Sequence, residues 1–149
     1  MVNRIIYPPI WLVIGLLSVF SLAEFLPSPS FLSAAAQVVG SIVIFVGLLL
    51  LLLAGNLFKR ADTDMIPFKN VSALVTTGIY RYTRNPMYLG MAAILLGCGL
   101  TVGAAASLLV APVFMIIIQV RFIRPEEAML LDLFPEQFAQ YRTEVRRWL

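Results

Sequence analysis

The sequence predicts an all-α integral membrane protein: four transmembrane helices arranged as two helical hairpins, with a cytoplasmic connecting segment and a C-terminal amphipathic helix. Three observations predict it. The 149 residues are 60% hydrophobic and only 13% charged, where a soluble domain averages about half and about a quarter. Apolar runs of span length recur along the chain, at a mean hydropathy of +0.91. The basic residues can all be placed on one side of a four-span topology. The length is that of one domain, taken as 1–149.

The first span covers about 10–26, with Glu24 near its end. Its basic-then-apolar start resembles a signal peptide. It leads, however, into Pro27-Ser28-Pro29-Ser30 and a second, longer apolar run, so it reads as retained rather than cleaved. The second span, about 31–58, exceeds what a hydrocarbon core of about 30 Å requires; it should tilt, or its last turns should project. From Met87 to Ile123 a single helix would be about 55 Å long, too long for one crossing. Gly97, Gly99, Gly103 and the small residues Ala104 to Ser107 mark a turn inside it, giving spans of about 86–102 and 105–123. These glycines follow no strand and sit in apolar helix, where close helix packing is their reading, not a dinucleotide loop.

With both termini cytoplasmic, Arg4, Lys59, Arg60, Lys69, Arg81, Arg84, Arg121, Arg124, Arg142, Arg146 and Arg147 all fall inside, and the two outer turns carry no basic residue. Topology and anionic lipid heads account for the net charge of +3. No nucleic-acid-binding pattern is present. The absence of histidine removes the commonest metal ligand and general base, and no metal site is expected. Cys98, the one cysteine, precludes an intrachain disulfide and reads as a small packing residue.

Two polar blocks remain, about 61–85 and 124–149, and chemistry is expected where they meet the helix ends. In the first, Asn85-Pro86 is a helix start: Asn can cap free N–H groups, and Pro suits the first helical position. The positive end of that helix, with Arg84 before it, suits a carboxylate or phosphate. Thr76-Thr77-Gly78 reads as a turn, and Tyr80, Tyr82 and Tyr88 add ring faces for a purine or a cation. The same residue types also form ordinary interfacial belts. In the second block, Glu126 and Glu127 lie beside Arg121 and Arg124 at the end of the fourth span. Carboxylates at membrane depth are costly and often functional, and the alternative is a stop-transfer flank with surface ion pairs. Met129, Leu130, Leu133, Phe134, Phe138 and Tyr141 then outline an apolar helix face, interrupted by Pro135, where a second short helix can start.

The order Leu74-Val75-Thr76-Thr77-Gly78-Ile79-Tyr80, Arg84-Asn85-Pro86-Met87-Tyr88-Leu89-Gly90, Glu126-Glu127, Phe134 to Tyr141 and Arg146-Arg147-Trp148 resembles the isoprenylcysteine carboxyl methyltransferase family. The related phospholipid methyltransferases share much of this pattern. The resemblance covers roughly Ser72 to Leu149. It implies an integral membrane enzyme that takes its methyl group from S-adenosylmethionine. It implies that Ser72, Ala73, Leu74, Val75 and Tyr80 line the cofactor, that Asn85, Pro86, Met87 and Tyr88 form a second wall, and that Glu126 binds from the far side; Arg84, just before the helix start, is a further cofactor-binding candidate. Arg121 and Glu127 are the candidate catalytic residues, Glu127 as the base an amine acceptor would need. Two positions depart from the pattern. Asn85 stands where many members have His, and Phe122 stands four residues before the first Glu, where the isoprenylcysteine enzymes place a substrate-contacting arginine. The chain is also short beside the eukaryotic enzymes, which points to a bacterial or archaeal cytoplasmic membrane.

The expected partners are membrane lipid and a lipophilic or small methyl acceptor carrying a carboxylate, thiol or amine. The alternative is a non-catalytic membrane protein, an assembly factor or lipid-binding module, using the same basic face.

Overall fold

The structure, a computed structural model, describes residues 7–60 and 73–149. Ser72 and the rest of 61–72, which hold half of the expected connecting segment, lie outside the described residues. The described residues form six α-helices: α1 Pro8–Phe25, α2 Ala34–Arg60, α3 Pro86–Val102, α4 Val110–Ile118, α5 Arg124–Leu133 and α6 Pro135–Glu144. Short 3₁₀ turns precede α3 (Gly78–Arg81) and α4 (Ala105–Leu109). No strand occurs among the described residues; one isolated bridge joins Ser30 and Ala104.

This is a membrane protein. Among the described residues three helical stretches are long and apolar enough to cross a bilayer: Pro8–Phe25, Ala34–Lys59 and Ala105–Leu133. The fourth apolar helix, α3, has 17 residues, about 26 Å at 1.5 Å per residue. It is the central helix of the fold. Pro86, Tyr88, Gly90, Met91, Ala92, Ile94, Leu95, Gly97 and Gly99 are all buried on it, while α1 and α2 turn most of their large apolar side chains outward.

The helices do not pack as two consecutive hairpins. α1 and α2 scarcely touch; both pack on α3, as does α4. The reason lies in four glycines. A Cβ on Gly47 would stand 2.7 Å from the Gly90 carbonyl oxygen, and one on Gly90 would stand 2.7 Å from that of Gly47. Gly40 and Gly97 repeat the relation at 2.6 Å. Seven residues back along α2 pair with seven residues on along α3, so the two run antiparallel in close backbone contact. Small residues permit that approach in a membrane, where apolar burial supplies no preference between lipid and protein.

On its other side α3 meets α1 and α4. Gly15 of α1 accepts the Leu95 side chain against its backbone. The buried Ser107 hydroxyl donates to the Val19 carbonyl over 2.7 Å. At this end the α1–α2 linker is stitched to the α3–α4 turn: Phe31 N–H donates to Gly103 O at 2.8 Å, and Ala105 N–H to Pro29 O at 3.0 Å. Gly103 closes α3 with φ +75°, a left-handed conformation that glycine adopts without steric cost.

The fourth apolar stretch does not stop at 123. It continues from Ala105 to Leu133, about 44 Å. Between α4 and α5 one wider π turn, Gln119–Ile123, is inserted without breaking the helix. A core of about 30 Å accommodates the apolar part, so α5, which carries Arg124, Glu126 and Glu127, projects beyond it. The expected C-terminal amphipathic helix is thus two pieces: α5, an extension of the spanning helix, and α6, started by Pro135. Phe138, Tyr141 and Val145 are buried there against Leu74, Leu130, Leu131 and Phe134, forming a second small core. The far end of α2 reaches this level too: Phe58 packs edge-on to Tyr80, with ring centroids 5.6 Å apart.

Candidate functional site

The polar residues of both blocks converge at the start of α3. Asn85 occupies the cap position with Pro86 after it, but its side chain makes no cap bond. Its amide Nδ2 donates instead to the Arg147 carbonyl at 2.9 Å. The C-terminal tail brings that carbonyl within reach, and the amide is oriented by it rather than by the free N–H groups of the helix start, which would need its Oδ1. The N–H groups of Met87 and Tyr88 lie ahead of the first intrahelical bond, which runs from Leu89 to Asn85.

Successive residues on an α-helix point about 100° apart, and Glu126 and Glu127 use this to serve different partners. Glu126 Oε1 accepts from the Tyr88 hydroxyl at 2.7 Å. Tyr88 is buried in the main core, beside Phe122 and Ile123. Tyr80 is buried nearby on the 78–81 turn, its carbonyl accepting from the Tyr141 hydroxyl at 2.6 Å. Burial, with Tyr141 and Glu126 close by, pushes the Tyr80 phenol well above its ordinary range. The ring is therefore neutral and offers a face, not a base.

Glu127 turns toward two arginines. Arg84 Nη2 reaches its Oε1 at 2.9 Å, and Arg147 Nη2 its Oε2 at 2.6 Å. The Glu127 and Arg84 side chains are 11% and 10% exposed, so the pair is largely desolvated. Burial raises the Glu127 carboxyl, but the bonds from Arg147 and Arg84, and their charges, outweigh it and hold the group below the ordinary carboxylate range. Arg84 also donates through Nη1 to the carbonyls of Arg142 (3.1 Å) and Val145 (2.6 Å) at the end of α6. Four of its five N–H groups are thus engaged within the chain.

The structure places the sequence candidates as follows. Tyr80, Arg84, Asn85, Pro86, Met87, Tyr88, Glu126 and Glu127 come together. Ala73, Leu74 and Val75 are half-buried on the extended segment leading to the turn, with Leu74 in the small α6 core. Arg121 is exposed on the π turn, while Phe122, its neighbour, is in the core. Two participants went unassigned from the sequence. Thr83 is fully buried and bonds the Arg147 carbonyl and the Asn85 N–H; nothing in its pattern distinguishes it from a loop threonine. Arg147 was visible in the Arg146-Arg147-Trp148 signature but had no partner until the tail was folded. Among the described residues no cluster could hold a metal ion.

The phospholipid methyltransferase family model matches residues 35–137, more than two thirds of the chain and both walls of this site. The chain belongs to the phospholipid methyltransferase family. Methyltransferases of this family are membrane proteins that generally use S-adenosylmethionine, as the resemblance implied. Neither the curated proteins nor the solved structures yield a match.

The donor set suits such a cofactor. A carboxylate can accept several hydrogen bonds at once, so the bond from Tyr88 does not preclude Glu126 from meeting a cation or ribose hydroxyls. Two buried tyrosine rings and a helix start lie beside it. The Arg84 guanidinium and Asn85 amide, by contrast, are engaged by the chain's own tail.

Proposed function

We propose that the protein is an S-adenosylmethionine-dependent methyltransferase acting on a lipid acceptor at the cytoplasmic membrane face. The observation that carries this reading is the Tyr88–Glu126 contact beside Tyr80, at the start of the central helix, in a chain of this family. Glu126 would hold the cofactor's cation or ribose. The Met87 and Tyr88 N–H groups would meet its carboxylate, and the rings of Tyr80 and Tyr88 its purine or sulfonium. Ser72 to Val75 would close one side, and Pro86 sets the helix start.

When bound, S-adenosylmethionine supplies a methyl group on a sulfonium that leaves readily, so the hard chemistry is its own. The protein's task is to align donor and acceptor. A carboxylate or thiolate acceptor needs no base. For an amine, the suggested base, Glu127, is weakened by its two arginines, and we assign it to holding Arg84 and Arg147 in place. Exposed Arg121 is positioned for the anionic part of a lipid headgroup. Phe122, buried where a prenylcysteine-carboxylate enzyme would need an arginine, favours a phospholipid acceptor.

Topology supports the same reading. We take α1, α2, α3 and the Ala105–Leu133 helix as four crossings with both termini cytoplasmic, in a bacterial or archaeal cytoplasmic membrane. The two turns joined at Ser30 and Ala104 carry no Lys or Arg, so the positive-inside preference puts them outside. A lipid could then enter sideways between the spans from the bilayer while the polar cofactor arrives from water.

Calorimetric titration of the detergent-solubilised protein with S-adenosylhomocysteine tests the reading, with Glu126→Ala alongside. Saturable binding weakened in the variant is expected, followed by transfer of labelled methyl into phospholipid extracts. A folded wild type that binds nothing overturns the proposal and returns the basic face to a non-catalytic role.

A further inference from the structure

The last residues of the chain bond loop 83–85, the π turn and α5, three segments at the candidate site. Arg84 N–H donates to the Arg146 carbonyl at 2.9 Å. The Thr83 hydroxyl and the Asn85 amide both donate to the Arg147 carbonyl, at 3.3 and 2.9 Å. The Arg147 guanidinium grips Glu127 on α5 through Nε (3.0 Å to Oε1) and Nη2 (2.6 Å to Oε2). The Trp148 indole N–H donates to Gln119 Oε1 at 2.8 Å, on the π turn. Loop 83–85, the π turn and α5 are otherwise linked near the site by Arg84–Glu127 and Tyr88–Glu126. A charged fork that meets a carboxylate through two of its nitrogens fixes direction as well as distance.

We propose that Val145–Trp148 is a strap belonging to the methyl-transfer site, with Arg147 as a positioning residue that sets Glu126 against the start of α3. The inference rests on the methyltransferase reading above. The route is short. Glu127 and Glu126 are neighbours on one helix, so whatever fixes the rotation of α5 at Glu127 fixes the direction of the Glu126 carboxylate. Arg84 alone holds only Oε1 of Glu127; Arg147 supplies the one bond to Oε2 among the described residues and so removes the remaining freedom of that group. Arg147 is itself 34% exposed, far more than Arg84. Its loss therefore leaves no sealed cavity and should disturb the site more than the fold. The strap's carbonyls accept from the Thr83 hydroxyl, the Asn85 amide and the Arg84 N–H and guanidinium, and its side chains donate to Glu127 and Gln119; none of these groups is a ligand contact in the reading above. The strap is thus separable from the binding groups themselves.

The chain has two tryptophans, Trp11 on α1 and Trp148 on the strap, so Trp11→Phe leaves Trp148 as the sole reporter of strap docking. In that background, Arg147→Gln and Arg147→Lys are compared in detergent for Trp148 emission, for thermal midpoint without ligand, and for S-adenosylhomocysteine affinity. Arg147→Gln should red-shift the emission and weaken binding about tenfold, the effect of one hydrogen bond to a charged group, with the unliganded midpoint nearly unchanged. Arg147→Lys should fall between, since it keeps the charge but not the fork. Unaltered affinity in Arg147→Gln overturns the strap's role while leaving the methyltransferase reading intact. So does a loss that tracks a fall in midpoint and is no smaller in Arg147→Lys. A parent protein that binds no S-adenosylhomocysteine overturns the methyltransferase reading, and the strap's role with it, before any variant is compared.

Discussion

Replacing Tyr88 with Phe removes one oxygen from the site and leaves the ring where it is. The lost bond is a short one, 2.7 Å from a hydroxyl to a carboxylate, made by a residue only 8% exposed. Hydrogen bonds to charged groups contribute about 1.5–3 kcal/mol. At 1.4 kcal/mol per tenfold, the expected loss of S-adenosylmethionine affinity is about tenfold to a hundredfold, if Tyr88 is what aims Glu126 at the ligand. Calorimetry with both S-adenosylmethionine and S-adenosylhomocysteine extends the result. The first carries a permanent sulfonium charge and the second a neutral thioether. A larger loss for the first places Glu126 against the sulfonium; an equal loss places it against the ribose or the ammonium that both ligands share. Tyr88→Phe binding both ligands as the wild type does refutes the reasoning, because an intact ring with an unguided carboxylate would then suffice.

Other consequences are open to simpler assays. Glu127 is held below its ordinary range in the folded protein, so its ion pairs stabilise the fold fully above the unfolded carboxyl value of about 4.3 and lose that contribution as pH falls through the folded value. The difference in thermal midpoint between wild type and Glu127→Gln should therefore be constant from pH 8 to about 5 and shrink below about 4. Gly90→Leu should force α2 from α3, since even a Cβ would stand 2.7 Å from the Gly47 carbonyl oxygen; overpacking of this kind costs about 1–3 kcal/mol or more, read as a lowered midpoint in detergent. Ser107→Ala removes the bond that ties α1 to the α3–α4 turn and should cost about 1 kcal/mol, without changing cofactor affinity.

Local chemistry made part of this molecule legible. Hydropathy marked every apolar helix, Pro86 and Pro135 marked two helix starts to the residue, and Gly103 marked the end of α3. What depends on distant partners was not legible. The sequence neighbours α1 and α2 read as a hairpin, yet α3 lies between them, because Gly40 and Gly47 match Gly97 and Gly90, fifty-seven and forty-three residues later. Asn85 has the chemistry of a cap, and only the folded tail shows why its amide turns elsewhere. Arg84 read as a ligand-binding cation; its partners are the carbonyls of residues 142 and 145 and a glutamate forty-three residues on.

The π turn at Gln119–Ile123 sets the angular phase of everything that follows it. An extra residue taken up in one wide turn leaves later residues about 100° behind their places on an unbroken α-helix. Were the same residues regular, Glu126 would inherit the bearing now held by Glu127, and Pro125 would face Tyr88. Which of two adjacent carboxylates meets Tyr88, and which meets the arginines, is thus decided by a single uncounted residue below them. Deleting one residue from that turn would straighten the helix and leave both bearings as they are.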